Sequence, residues 1–388
     1  MKVVRIIDTF CPLLTGGRNI HVLELSKYIN KYIDEQIIIS RKVDCRDFDN
    51  TLKKDYNIDI IRIKSNRLKK RTIIPVKHLE IIPLLLYSYP VIIKLKRHKR
   101  IDIIHAHGIN EIIVARIIGT LIRTPVVGMV HGSISGLSKK SGLYESIAAK
   151  LFKPDFGIIL DDGSIAKNKF KKIWNKKSII VNHAIDVKHF SPRREDKDIR
   201  NKYGIQDRFS IIFTGNLIKF KRVDLLVEII NILVNRNNLS VSLMILGLGD
   251  ELEKLKKKVK LYNLENVIIF VGKINYNEMP KYLSSSDVFA ATSDISNLNR
   301  SVQEAMACEI PVVAFNSGGT GNLIKNNYNG ISVENKNIEK FAEAIVELYN
   351  NNEKRKILGK NAREFIIKNR SWDARVKQEL QVYKSLLG

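Results

Sequence analysis

The sequence predicts an α/β protein with two doubly wound parallel sheets, and three observations support this prediction. At 388 residues the chain is too long for one ordinary hydrophobic core, so two domains are expected. Short apolar runs typical of buried parallel strands alternate with segments of helical spacing. The alternation stops at a polar, charged stretch from residue 186 to 208 and then restarts. We therefore predict a first domain over 1–187, a linker with a short helix over 188–208, and a second domain over 209–371.

In the first half, runs rich in Ile and Val predict seven buried strands. They are Val3–Asp8, Gln36–Ser40, Asp59–Ile63, Ile101–His105, Val126–Val130, Phe156–Leu160 and Ser178–Val181. After the first strand, Gly16 and Gly17 break the chain, and the apolar residues of Asn19–Ile33 then recur at helical intervals. A second helix is expected near Glu111–Ile122. This alternation of strand and helix predicts a parallel sheet.

The second half repeats the pattern. Strands are predicted over Ser210–Thr214, Ser242–Leu246, Val267–Phe270, Val288–Ala291 and Val312–Phe315. Helices are predicted over Val223–Val234, Asp250–Tyr262, Met279–Ser285, Val302–Ala307, Ile338–Asn350, Lys354–Lys368 and Trp372–Leu387. The second domain is therefore expected to have the same architecture as the first.

Composition argues against a membrane-spanning or exported protein. The apolar fraction of 44% is normal for a globular protein. The most apolar run, Ile81–Ile93, contains Pro83 and Pro90 and is shorter than the ~20 residues that cross a bilayer. Because Met1 and Lys2 lead directly into the first strand, a signal peptide is not expected.

The three cysteines, Cys11, Cys45 and Cys308, show no paired spacing. Paired spacing is the usual mark of a disulfide framework or a zinc site in sequence. We therefore expect reduced thiols, a cytoplasmic protein and no zinc site.

The net charge of +26 is unusual and leaves three interpretations open. Residues 51–100 contain 14 Lys and Arg against 3 Asp and Glu, and they surround the apolar run described above. A solvated lysine-rich surface is one interpretation, and attraction to an anionic membrane surface is the second. Nucleic-acid binding is the least favoured, because no recognition motif is present and the basic residues are not interleaved with stacking aromatics.

The segment Ser301–Gly319 carries the most specific chemical pattern of the chain. Glu304 lies in a short helix, a buried strand follows directly, and Gly318 and Gly319 close that strand. This order places a carboxylate and a glycine turn at the carboxyl end of a parallel sheet, where α/β proteins bind nucleotides. The carboxylate can accept hydrogen bonds from ribose hydroxyls, and backbone N–H groups of the turn can approach a diphosphate.

Together with FTGNLIKFKRVD, residues 213–224, and VNHAIDVKHFSP, residues 181–192, this segment resembles the donor-binding half of glycosyltransferase family 4, GT4. The resemblance covers nearly the whole chain and is strongest over 181–330. It implies the GT-B fold, in which two Rossmann-like domains face a central cleft. It also implies that the last helix, 372–388, returns to the first domain.

The resemblance implies roles for residues of the segment 213–224. Gly215 and Lys221 match the family pattern, and the lysine faces the donor diphosphate there, where its charge stabilises the departing nucleotide. Asn216 stands where arginine is usual and Arg222 where glycine is usual, so Arg222 or Lys219 is expected to supply the missing cation.

Further donor contacts are implied on the second domain. Glu304 would hold the ribose, and backbone amides at Ser301, Val302, Gly318 and Gly319 would meet the diphosphate. The backbone near Gly272 and Lys273 would contact the base. The family's other glutamate is replaced by Ser296, for which Asp294 is a possible substitute, and Asn322 replaces a usual acidic residue.

The resemblance also implies contacts from the first domain. Gly16 and Gly17 match a glycine loop that lies near the donor phosphate and the acceptor. His131 ends the strand Val126–Val130 and would support the reacting sugar, although a capping histidine is the alternative. His105 and His107 lie on one face of a strand end, and we interpret them as cleft or core residues because no Asp or Cys joins them at ligand spacing.

The implied function is a metal-independent, retaining hexosyltransferase without a cofactor, acting on a UDP- or GDP-linked sugar. The acceptor would be a glycan or a lipid-linked glycan of the kind made in polysaccharide or glycolipid biosynthesis. Nucleic acid is not an expected partner, and the expected location is cytoplasmic or peripheral on the inner face of the membrane. Two alternatives remain: a GT-B sugar-nucleotide epimerase, and a non-catalytic protein that binds sugar nucleotides or polyanions.

Overall fold

The computed structural model describes residues 1–10, 17–42, 45–64, 81–98, 100–131, 139–161, 166–193, 198–294 and 300–388. The chain forms two compact units. The N-terminal unit comprises Met1–Asn182 and Arg375–Gly388, and the C-terminal unit comprises His183–Ala374. Each unit is built on one parallel sheet, which confirms the predicted α/β class.

Seven parallel strands form the sheet of the N-terminal unit, in the order β3-β2-β1-β4-β5-β6-β7. They are β1 (Lys2–Ile6), β2 (Glu35–Arg41), β3 (Ile58–Ile63), β4 (Ile103–His107), β5 (Val126–Val130), β6 (Phe156–Asp161) and β7 (Ser178–Asn182). The helices that the structure describes here are α1 (Gly17–Ile29), α2 (Arg46–Tyr56), α3 (Ile81–His98), α4 (Ile109–Ile122), α5 (Lys139–Leu151) and α6 (Ala166–Trp174).

The sheet of the C-terminal unit has six strands, in the order β10-β9-β8-β11-β12-β13. They are β8 (Phe209–Thr214), β9 (Val241–Leu246), β10 (Ile268–Gly272), β11 (Val288–Ala291), β12 (Val312–Phe315) and β13 (Ile331–Val333). Its helices include α7 (Asp198–Tyr203), α8 (Val223–Asn231), α9 (Leu252–Leu261), α10 (Met279–Ser284), α11 (Arg300–Ala307), α12 (Thr320–Leu323), α13 (Ile338–Asn350) and α14 (Asn352–Arg370). The last helix, α15 (Trp372–Leu387), begins in this unit and continues into the N-terminal unit.

The strands are apolar on both faces because helices cover both sides of each sheet. In β8, Ile211 and Phe213 point into one hydrophobic core and Ile212 into another, and all three are buried. Successive side chains of a strand point to opposite faces, so this arrangement requires an unbroken apolar run. The run Phe209–Thr214 supplies it, which is why the strand was predictable.

The apolar run Ile81–Ile93 lies within α3, which contains Pro90 and continues to His98. One sequence expectation needs correction. Cys45 is disulfide-bonded, so the expectation that all three thiols are reduced is wrong for this residue. Spacing along the chain does not reveal a pairing that folding creates. Cys308 is free and buried.

Among the described residues, we find no helix with both the length and the apolar character needed to cross a bilayer.

Candidate functional site

Strand order reverses between β8 and β11 in the C-terminal sheet, because the strands that follow each of them lie on opposite sides. Loops that leave the carboxyl ends of two such strands diverge and open a crevice, where α/β proteins bind ligands. Here the two loops are fixed to one another. Thr292 Oγ1 donates to the Lys221 carbonyl at 3.2 Å, and the Asp294 N–H donates to the Phe220 carbonyl at 3.0 Å.

Glycines line this carboxyl edge where backbones approach closely. Gly215 and Gly247 directly follow β8 and β9, Gly272 is the last residue of the neighbouring strand β10, and each of the three has a positive φ. A Cβ on Gly247 would lie 1.9 Å from the Gly215 carbonyl oxygen, so the turn tolerates no side chain there. The predicted residues Gly215 and Gly272 therefore lie at the expected edge, with Asn216 and Lys273 exposed beside them.

Lys221 ends a 3-10 turn, Lys219–Lys221, in the loop after β8. Its side chain is partly buried, and burial lowers the pKa of its ammonium from the ordinary value. The ammonium therefore lies in the loop that leaves the carboxyl end of β8, at the crevice.

Two of the three residues expected to substitute for missing family groups, Arg222 and Asp294, bind each other. The Arg222 guanidinium is 3.0 Å from a carboxylate oxygen of Asp294 and 3.1 Å from one of Asp224. These hydrogen bonds, above all that with Asp224, raise the pKa of Arg222 despite its partial burial. Arg222 also has a positive φ of 50°. The structure thus describes Arg222 as the centre of an ion-pair network rather than as a separate cation.

Glu304 lies on α11 and is 7% exposed. Its Oε1 atom accepts from the Nε atom of Arg300, one helical turn earlier, at 3.0 Å. Burial raises the pKa of Glu304 to about 7, although Arg300 acts in the opposite direction. A buried carboxyl group whose pKa lies near neutral pH is typical of a functional site.

Arg300 also contacts Tyr276, whose side chain reaches the surface. Its hydroxyl lies 3.0 Å from an Nη atom of Arg300, and its ring stacks on His189 with ring centres 5.0 Å apart. Tyr276 follows the exposed loop after Gly272 and Lys273, and about half of its side chain remains exposed. We call Tyr276, Arg300 and Glu304 the edge cluster.

The remaining predicted donor contacts lie on neighbouring backbone. Ser301 and Val302 are in the first turn of α11, and the N–H groups and dipole of a helix N-terminus favour an anion. Gly318 has a φ of 52°, and Gly319 precedes α12. Ser317 Oγ donates to the Ser293 carbonyl at 2.5 Å, which joins the loops after β11 and β12.

His131 follows β5 at the carboxyl edge of the N-terminal sheet and is partly buried. Its Nε2 atom is 3.2 Å from Nδ1 of His107 in the adjacent strand β4. His105 and His107 are both fully buried and stacked, with ring centres 4.2 Å apart. Of the two interpretations offered for this pair, cleft or core, full burial of both rings favours the core.

Some predicted residues fall outside the described residues. Gly16 and Ser296 do, as does the side chain of Asn322, while Gly17 is the first residue of α1.

Gly247, Tyr276 and Arg300 were not predicted from the sequence. The turn that contains Gly247 was visible as GLGD after a predicted strand, so its glycine pattern was the available signal. Arg300 precedes Glu304 by four residues, which is the spacing of an ion pair on one helix face. No signal in the sequence marked Tyr276, because its contact with Arg300 spans 24 residues.

Comparison with known proteins gives matches over both units. The family model described as glycosyltransferase family 4 matches residues 15–158. The model described as glycosyl transferases group 1 matches residues 195–365. Together these two segments cover more than half of the chain.

Two curated relatives illustrate the range of similarity. An uncharacterized glycosyltransferase of Methanocaldococcus jannaschii is 28% identical over 253 residues, which cover 64% of this chain and 64% of the relative. A UDP-Gal:alpha-D-GlcNAc-diphosphoundecaprenol alpha-1,3-galactosyltransferase of Escherichia coli is 26% identical over 367 residues, covering 92% of this chain and 90% of the relative.

Similarity in fold extends over the whole chain. The crystal structure of HepE from Anabaena in complex with UDP superposes with a TM-score of 0.77 at 18% identity, covering 99% of this chain and 100% of HepE. At this identity the match establishes the shared two-domain fold.

Proposed function

This chain belongs to the glycosyltransferases of family 4, with the GT-B fold, and from that premise we propose a retaining transfer from a nucleotide-diphosphate sugar to a glycan or lipid-linked acceptor. The observation that carries the proposal is the position of Glu304. It is a buried carboxylate in the first two turns of α11, the helix that comes after β11 in the chain. A carboxylate there can accept hydrogen bonds from both hydroxyls of a donor ribose.

The leaving diphosphate would be bound by Lys221 and by backbone N–H groups near Val302 and Gly319. The position of Lys221 in the loop after β8, at the crevice, supports this role, because an ammonium there can stabilise the charge of a diphosphate. The base would lie against the backbone near Gly272 and Lys273, and Gly215 and Asn216 would lie beside the phosphates. UDP is the favoured nucleotide, since the E. coli relative is named for UDP-Gal and HepE was crystallised with UDP.

In the proposed transfer, the bond between the anomeric carbon and the phosphate oxygen breaks while the acceptor oxygen bonds the same carbon on the same face. The acceptor proton passes to the departing phosphate oxygen. Lys221 would stabilise the charge of the diphosphate, and His131 would hydrogen-bond the sugar as positive charge develops. We propose that neither a metal nor a cofactor is needed, because a lysine and a helix N-terminus can take up the diphosphate charge. Activity retained in EDTA is the expected result.

We further propose that the acceptor is reached from a cytoplasmic, anionic membrane surface. On α3, Ile82, Leu86 and Tyr87 are exposed large apolar side chains, and the helix ends in Lys96, Arg97 and His98. Apolar and basic groups on one helix suit a membrane interface. Co-sedimentation with liposomes should increase with the content of anionic lipid, and binding that ignores lipid charge would contradict the proposal.

The decisive experiment is calorimetric titration of UDP, GDP, ADP and their sugars, with the wild-type chain and with Glu304→Gln. We expect one diphosphate to bind and its affinity to fall about tenfold or more in the variant, since a hydrogen bond to a charged group contributes about 1.5–3 kcal/mol. Glu343→Gln, on the exposed face of α13, is the matched control and should bind normally.

The outcomes also separate the alternatives. Conversion of free donor without an acceptor would indicate an epimerase. Binding without any conversion would indicate a non-catalytic protein. No binding of any nucleotide would contradict the proposed donor site.

A further inference from the structure

A chain of imidazoles connects His131 to the interior of the N-terminal unit. His131 contacts His107 through ring nitrogens 3.2 Å apart, and His107 stacks on His105. His21 of α1 lies against the His131 ring at a distance of 5.1 Å between ring centres. Beneath His107, Arg5 of β1 reaches both buried histidines through one nitrogen, Nη1.

Arg5 determines which ring nitrogen of His107 carries the proton. Its Nη1 atom lies 3.3 Å from His107 Nε2 and 2.9 Å from His105 Nδ1. A guanidinium has five N–H donors and no acceptor, so His107 Nε2 must be the acceptor and carries no hydrogen. A neutral imidazole then has its single proton on Nδ1. That atom faces His131 Nε2, so His107 donates and His131 accepts.

Arg5 is fixed by its own contacts, so the hydrogen bond from His107 to His131 cannot reverse its direction. It is fully buried, and its Nε atom donates to Oε1 of Gln36 on β2 at 3.3 Å. Glu379 of α15 lies 3.8 Å from Arg5 and 3.0 Å from Nδ1 of His105. Arg375, one turn earlier, pairs with the same carboxylate at 2.6 Å. The Tyr383 hydroxyl lies 2.7 Å from Nδ1 of His105 and donates to Oε1 of Glu379 at 3.1 Å. We call Arg5, His105, His107, Arg375, Glu379 and Tyr383 the buried cluster.

The charges around His107 keep it neutral. Burial lowers the pKa of His107 well below its usual range, and His105, Arg5, His131 and His21 lower it further. These are the titratable groups that face it from β1, β4, α1 and the end of β5. A protonated His107 would also present an N–H to Arg5, which would be repulsive.

We propose that His107 is a positioning residue that holds His131 in one tautomer, with the proton on Nδ1 and a bare Nε2 bound to His107. The ring of His131 can then donate only from Nδ1, and its basic nitrogen is occupied. His131 would act as a fixed hydrogen-bond donor and not as a general base. This inference rests on the proposed role of His131 at the sugar, and the role of base then falls to the departing phosphate.

The test is a long-range ¹H–¹⁵N spectrum of the full chain labelled with ¹⁵N-histidine, in which protonated and bare ring nitrogens have well-separated shifts. The resonances of His131 are assigned by their loss in His131→Asn. We expect a bare Nε2 and a protonated Nδ1 in the wild type at neutral pH. A protonated Nε2 in the wild type overturns the proposal without any variant of the buried residues.

Two variants of His107 sharpen the result. The amide nitrogen of His107→Asn can replace the Nδ1–H donor, so the shift pattern of His131 should be retained. His107→Gln places its amide near the former Nε2 position and removes the donor, so the two nitrogens of His131 should move toward an averaged pattern. An unchanged pattern in His107→Gln would contradict the positioning role.

The spectrum is independent of the donor titration. A correct tautomer in a chain that binds no nucleotide would leave this inference standing and overturn the proposed function. A wrong tautomer in a chain that transfers sugar would do the reverse.

Discussion

The buried cluster and the edge cluster both join an arginine to a glutamate, yet they differ in exposure. In the buried cluster, the side chains of Arg5 and Glu379 are both 0% exposed. In the edge cluster, Glu304 is nearly buried but the side chain of Arg300 is 40% exposed. Ions that have lost their water depend wholly on their partners, whereas a half-exposed arginine can exchange its partner for water or a ligand. The comparison indicates that the buried cluster holds its side chains in one arrangement, whereas the edge cluster can rearrange when a donor binds.

The carboxylates of the two clusters show the same difference. Burial opposes ionisation of Glu379, but Arg375, His105 and Arg5 outweigh it and hold its pKa well below the usual range. Arg300 only partly offsets burial at Glu304, whose pKa rises to about 7. Glu379 is therefore a permanent anion, and Glu304 is an anion whose charge depends on pH.

The largest effect is expected from Glu379→Gln, which leaves Arg5 and Arg375 buried without their counter-charge. The N-terminal unit should lose about 3–5 kcal/mol of its free energy of unfolding. Of the two tryptophans, Trp174 lies in this unit and Trp372 in the other, so urea unfolding of a Trp372→Phe background reports it selectively.

The control is Glu253→Gln, which removes one carboxylate of an exposed pair with Lys256 and should cost less than about 0.5 kcal/mol. Equal effects of the two variants would contradict the prediction that the buried carboxylate of Glu379 contributes more to stability than the carboxylate of an exposed ion pair.

Glu304→Gln should instead increase the free energy of unfolding at pH values above 7. A carboxyl group whose folded pKa is raised stabilises the fold below its unfolded pKa and loses that contribution as pH rises through about 7. The neutral amide avoids this loss. We expect the variant to be more stable than wild type by about 1–3 kcal/mol at pH 8 and similar at pH 5. Urea unfolding followed by Trp372 measures it, and a destabilised variant at pH 8 would show that the charged form is well accommodated.

Nucleotide affinity should depend on pH through the same group. Because the proposed ribose contact uses the ionised carboxylate, affinity should fall below pH 7 by up to about tenfold per pH unit. Titration of the diphosphate itself contributes a similar trend, so the measured quantity is the difference between wild type and Glu304→Gln from pH 5.5 to 8. If affinity changes with pH in the same way for wild type and for Glu304→Gln, then Glu304 does not titrate in the complex or does not bind the ribose.

The smallest effect is expected from Arg300→Gln. Arg300 lowers the pKa of Glu304, so its loss should raise that pKa and move the midpoint of the affinity curve to higher pH. The half-exposed position limits the change in free energy to about 1 kcal/mol or less. Arg300→Lys keeps the charge and should restore the midpoint. If both variants shift it equally, the hydrogen-bonding geometry of Arg300 matters more than its charge.

The sequence predicted the elements whose burial leaves a local pattern. The strands Val126–Val130, Val288–Ala291 and Val312–Phe315 have the predicted bounds, as does the helix Ile338–Asn350. It did not predict α2, which is polar and has one buried residue that the structure describes, Leu52. Both cases follow from physics, because apolar periodicity exists only where a segment buries much surface.

The site was predictable only in part, for a similar reason. Glu304 lies in a local pattern of helix, strand and glycines, and it was identified. The buried cluster was not, because Tyr383 and His105 are 278 positions apart and nothing in either segment marks the other. The pairing of Arg222 with Asp294 spans 72 positions and was likewise hidden.

The path of the chain has a consequence for its synthesis. Arg5 and His105 leave the ribosome early, but Glu379 and Arg375 follow only after the whole C-terminal unit, residues 183–374, has been translated. At about 5–20 residues per second this interval is roughly 10–40 s. Throughout it, the nascent first sheet holds a cation without its counter-ion, so the buried cluster can form only after α15 has been translated. The last helix thus links the maturation of the first half to the completion of the second.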